Sequence, residues 1–186
     1  MTRSLKHLSA SFAVVAFLGL APAVVQAGPP LICHPVDIGD AASLPWGSGP
    51  GWNTPLPGYD RARLVTDALA LLSPAAPIRV RMETLRRATV YAMGDPDRGR
   101  ELLARLEARA REGGPGSDGA LALFDAGYLI ESFKQARVIT GRDIVDPSRD
   151  GEAMVREARH RRDKDPDLEY AVGLIASGKV RTKAQR

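Results

Sequence analysis

The chain has 186 residues, a length for one domain, with 44% hydrophobic and 26% charged residues, the balance of a folded globular protein. Aromatic residues make up only 5% while Ala and Leu abound, which disfavours a β-sandwich and favours helices packed through aliphatic side chains. The formal charge of +4 is spread along a sequence in which basic and acidic residues alternate, and Lys and Arg are not interleaved with aromatics as a single-strand nucleic-acid binder requires.

Residues 1–27 read as an export signal. Arg3, Lys6 and His7 give a positive start, Phe12 to Leu20 an apolar stretch, Pro22 a break, and Val25-Gln26-Ala27 small residues before a cut after Ala27. The apolar run is short for a bilayer crossing and Pro22 interrupts it, so no stable membrane insertion is expected once the signal is cleaved. Its removal takes away Arg3 and Lys6 and no acid, lowering the formal charge by two. The expected location is outside the cytoplasm, periplasmic or secreted.

Residues 28–58 form a Pro/Gly-rich arm. Pro29, Pro30, Pro35, Pro45, Pro50, Pro55 and Pro57 each fix φ and remove a donor, so neither a long helix nor a central strand fits. At most Asp40 to Leu44 forms one helical turn. Leu31, Ile32, Val36, Ile38, Leu44, Trp46, Trp52 and Leu56 are spaced as anchors that lay an extended arm on a helical body.

From Tyr59 the hydrophobic period becomes helical. Helices are predicted over about 60–72, 77–93, from 95 to Gly113, 118–139, from Pro147 or Asp150 to 164, and from 165 to a stop at Gly178. Asp-Pro-Asp at 95–97 and again at 165–167 supplies a cap, a preset proline and an acid at the positive end of the helix dipole. The helix over 118–139 is apolar over most of its girth and is predicted to be central, with Asp125 and Glu131 arguing against a membrane span. The fold class is therefore all-α: about six helices in antiparallel hairpins over 59–178, preceded by the arm and followed by a basic tail over 179–186.

Helix starts near 60, 77 and 95, and near 147 and 166, make helix pairs of about 35 residues. With the Asp-Pro boundaries and Ala126-Gly127-Tyr128, this spacing resembles tetratricopeptide-like αα-hairpin proteins. The resemblance implies a helical groove that holds a peptide or a protein partner. The stretch ICHPVDIGDAASLPW in the arm also resembles the leader of uncharacterised exported bacterial proteins, which implies no activity.

Cys33 and His34 are the sharpest chemical candidates. Thiolate and imidazole suit zinc or copper, with Asp37 or Asp40 as a third ligand, although adjacent residues chelate one ion poorly. The pair also resembles the end of a haem-attachment motif, but Pro30 stands where the first cysteine belongs. The lone cysteine of an exported chain has no internal partner, so it packs as a small apolar residue, pairs with another molecule, or stays free. Trp46 and Trp52 offer stacking surfaces for a ligand or serve as anchors of the arm, and Arg156 and Arg159 on the fifth helix offer a face for an anionic partner or a solvated one. No Gly-x-Ser-x-Gly, phosphate loop, dinucleotide fingerprint or His-Glu-x-x-His is written in the chain. Sequence alone therefore leads to a non-enzymatic exported protein that binds a peptide or protein and needs no cofactor, with a thiol- or metal-dependent protein acting through Cys33 and His34 as the alternative.

Overall fold

The structure, a computed structural model, describes residues 28–184, with side chains to residue 178. The expected export signal lies outside the described residues. Among the described residues the chain is all-α: α1 (Pro30–Cys33), α2 (Leu64–Leu71), α3 (Ile78–Met93), α4 (Pro96–Glu112), α5 (Ser117–Thr140), α6 (Gly151–Arg161) and α7 (Pro166–Ala184). None of these helices is long and apolar enough to cross a membrane.

The helix starts follow local chemistry. Asp95 accepts from the Arg98 N–H at 3.3 Å, Asp150 from that of Ala153 at 3.0 Å, and Asp165 from that of Asp167 at 3.1 Å. Each satisfies one of the N–H donors that a helix leaves without an internal partner. Gly141, at φ +68°, closes α5 in the left-handed region open to glycine.

α5 packs against α3, α4 and α6, and α7 packs against α6 and α1. Leu121, Phe124, Leu129, Ile130 and Phe133 of α5 are buried among Leu85, Ala88 and Ala92 of α3, Leu102, Leu103 and Leu106 of α4, and Val155 and Ala158 of α6. Each fully buried Leu or Phe contributes about 1.5–3 kcal/mol over its exposed state. At the α5–α6 crossing Gly127 and Gly151 meet backbone to backbone: a Cβ on either would run into the other's carbonyl oxygen. Ile144 and Val145 fasten the loop between these two helices into the core.

Three expectations are corrected. The helical turn expected over Asp40–Leu44 is absent. A turn bonds Ala41 N–H to Ile38 O at 3.2 Å there, while Pro30, preset for a first helical turn, starts α1 instead. Gly178 does not end the last helix, which runs on to Ala184; the glycine is where α7 passes close to the Gln135 side chain of α5 and to Pro30, and a Cβ there would have to displace the Gln135 amide. Leu56, read as an anchor, is 42% exposed; its backbone rather than its side chain is held, the N–H by the Tyr91 hydroxyl oxygen at 3.0 Å and the carbonyl by the Tyr59 N–H at 3.2 Å.

Candidate functional site

Cys33 closes α1, half-buried, with its side chain against the core and its sulfur beside the backbone of Gly28. Burial pushes its thiol above the ordinary range, and the charge of Arg86 opposes this only in part. That is the reverse of the shift an activated thiolate needs. His34 is exposed, and no group of three His, Cys, Asp or Glu among the described residues stands in metal-holding positions. Cys33 and His34 are thus adjacent in sequence but set in different surroundings.

The tryptophans belong to a network centred on α3. Trp46 meets the Tyr91 ring edge-on with centroids 5.8 Å apart and lies under the guanidinium groups of Arg86, at 4.9 Å, and Arg87, at 5.6 Å. The Trp52 carbonyl accepts from Arg86 Nη1 at 2.9 Å. Arg86 also reaches the Ile32 carbonyl at 3.2 Å, and Arg87 Nη1 that of Leu44 at 2.7 Å. Glu83 ties the two arginines together: Arg86 donates to it through Nε at 2.7 Å and Nη2 at 2.8 Å, Arg87 through Nε at 2.7 Å, and the Val36 N–H at 3.0 Å. On the same helix the pattern repeats with neutral groups. The Tyr91 hydroxyl donates to Pro45 O at 2.6 Å, and Ser43 and Thr84 pair through their hydroxyls at 3.0 Å.

The physical reason lies in the prolines. A segment without regular structure leaves its carbonyls without ladder donors, and burying them unpaired is costly. Positions 83, 84, 87 and 91 fall on one face of α3 at helical spacing, with 86 beside them; Arg86, Arg87 and Tyr91 present donors to that segment's carbonyls, and Glu83 an acceptor to the Val36 N–H. Burial alone would raise the Glu83 carboxyl, but the hydrogen bonds and charge of Arg86, the Val36 N–H and Arg87 outweigh it and hold the group below its usual range. The sequence carries a signal for this, Glu-x-x-Arg-Arg at salt-bridge spacing in the helix following a proline-rich segment.

Arg156 and Arg159 are already paired. Arg156 meets Glu152 one turn earlier, with Nε at 2.8 Å, and Arg159 meets Glu169 of α7 at 2.5 Å.

A second constellation lies at the opposite end of α3. A partly open cavity of about 460 Å³ is walled by Leu69 and Leu72 from the end of α2, Pro74, and Leu121 and Ala122 of α5. Its exposed side carries Arg109, Glu112 and Asp118, and its buried side Arg81 and Asp125. Arg81 and Asp125 form an ion pair at 2.5 Å with both side chains almost wholly shielded, at 2% and 3% exposure. Arg81 also donates to the carbonyls of Ala76, at 3.0 Å, and Ser73. Only one oxygen of Asp125 is served: Oδ1 is buried and has no hydrogen-bond partner among the described residues. Burial, opposed by the charge and hydrogen bond of Arg81 and by Arg109, raises the Asp125 carboxyl to about 7. Helical periodicity marks Asp125 only as a charge in an apolar stretch; its pairing with a residue 44 positions away has no local signature.

Compared with protein-family models, with curated proteins and with solved structures, the chain finds no match in any of the three.

Proposed function

We propose that the chain is an exported, non-enzymatic helical binding protein whose cavity between the α2–α3 turn, α4 and α5 receives a small ligand or a segment of a peptide or protein partner. The observation that carries this reading is the cavity itself: about 460 Å³, with apolar walls and a buried carboxylate oxygen that has no hydrogen-bond partner among the described residues. Concave, largely apolar sites with a few convergent polar groups are where ligands bind, and an orphaned buried acceptor calls for a partner. In this reading the helices pair as αα-hairpins similar to tetratricopeptide units, and the Pro/Gly-rich arm is a strap held by α3. Export rests on the charged start, apolar stretch and small residues of 1–27.

The alternative, thiol or metal chemistry at Cys33 and His34, has weaker support, since the thiol is half-buried with its proton held more tightly and the imidazole is exposed. Trp46 and Trp52 support the strap through their contacts with Arg86, Arg87 and Tyr91.

Native mass spectrometry of the full chain purified from its host tests the binding reading. A co-purifying species is expected, absent from Ala122→Trp, whose indole fills the cavity. Its retention in that variant, with the helical circular dichroism unchanged, places binding elsewhere.

A further inference from the structure

The charged groups around the cavity differ in what they have left to offer a ligand. Arg81 points Nε to Ala76 O, Nη1 to Asp125 Oδ2 and Nη2 to Ser73 O. Arg109 directs Nη1 and Nη2 at the Leu69 carbonyl, both at 3.3 Å, and Nη1 at that of Leu72 at 3.5 Å. Both cations therefore serve carbonyls at the end of α2 and in the turn after it, where a helix leaves acceptors without internal donors. Among the described residues Asp125 Oδ1 is buried without a hydrogen-bond partner, and Glu112 and Asp118, like Arg109, form no ion pair. Glu112 stands in the last turn of α4, the negative end of the helix dipole, beside Arg109 and Arg111 of the same turn.

We propose that the cavity binds a primary aliphatic ammonium group, its alkyl stem against Leu69, Leu72 and Leu121, its N–H donors on Asp125 Oδ1, and Glu112 and Asp118 flanking the entrance. This assignment rests on the cavity being the binding site. A guanidinium group fits less well. It gains most from a two-pronged contact with both carboxylate oxygens, and Arg81 already occupies Oδ2, leaving a single oxygen that a compact ammonium group satisfies. An anionic ligand would meet three carboxylates on the cavity walls, with Arg81 already paired to Asp125.

Isothermal titration of the full chain at pH 8 and low salt with n-hexylamine, hexanol and hexanoate tests the class. A blocked lysine tripeptide and its norleucine counterpart separate the two sources of such a group. Hexylamine is expected to bind at least about tenfold more tightly than hexanol or hexanoate, the worth of one charge-assisted hydrogen bond. The same preference is expected for lysine over norleucine if a peptide is the natural source, and for the free amine alone if a small molecule is. The surface variant Glu112→Gln/Asp118→Asn should weaken amine binding severalfold and leave hexanol unchanged; Asp125→Asn should abolish the preference. Equal binding of the three probes, removed by Ala122→Trp, overturns the ammonium assignment and leaves the cavity as a binding site. Amine binding that survives Ala122→Trp overturns the site itself, and no binding of any probe overturns the assignment.

Discussion

Glu83 accepts four hydrogen bonds while only 1% exposed, and three of them come from guanidinium groups. Removing one partner of such an assembly strands a buried charge, which costs about 3–5 kcal/mol. Glu83→Gln and Arg86→Met are therefore each expected to lower unfolding free energy by roughly that amount in urea denaturation, whereas Arg156→Ala, at an exposed pair, should change it by less than about 1 kcal/mol. Asp125 and Glu83 respond to pH in opposite directions. The folded carboxyl of Asp125 is raised to about 7 from an ordinary 3.8, so between these values the native state holds a proton that the unfolded chain lacks. Stability thus rises as pH falls through 7 toward 4. Glu83 is held below its ordinary 4.5, and its contribution, present above that pH, is lost as pH falls further. Denaturation at a series of pH values should show greater stability near pH 5 than at pH 8, and Asp125→Asn should flatten that difference. None of these residue roles is visible as a periodic pattern: each depends on which segment covers α3 and which helix end faces α5.

At the scale of elements, what is local in origin was legible and what depends on neighbours was not. Asp95, Asp150 and Asp165 cap the helices they precede because an N-cap needs only the next three residues. The apolar girth of α5 likewise places it at the centre. Gly178, by contrast, reads as a helix stop in sequence but lies within α7 against the side chain of Gln135, far away along the chain. Gly127 and Gly151 show the same logic. Neither marks a turn, and their exchange of close contacts sets how near α5 and α6 lie. Gly151→Ala is expected to destabilise by about 2 kcal/mol, because a rigid carbonyl rather than a flexible side chain opposes the new methyl. Gly116→Ala, where a Cβ meets open space, should be nearly neutral; thermal unfolding of the two variants side by side checks the contrast.

Across the whole molecule, α3 faces two ways. Arg86, Arg87 and Tyr91 supply donors to the N-terminal segment and Glu83 an acceptor, and its first turn places Arg81 beside Asp125 at the cavity. The all-α class follows from composition and period. The sequence also drew attention to the stretch around Cys33, because its cysteine, prolines and tryptophans stand out from the helices after it. The structure gives that stretch a packing role through Ile32, Leu44, Trp46 and Trp52, whose carbonyls or rings meet Arg86 and Arg87. The cavity, assembled from four segments each of which looks ordinary alone, could not be seen before the helices were brought together. Amide chemical-shift mapping during a hexylamine titration sets these two regions against each other in a single experiment. The account predicts shifts confined to the α2–α3 turn, the end of α4 and the start of α5, with Ile32 to Val36 unmoved; shifts centred on Cys33 and His34, with the cavity silent, would contradict it.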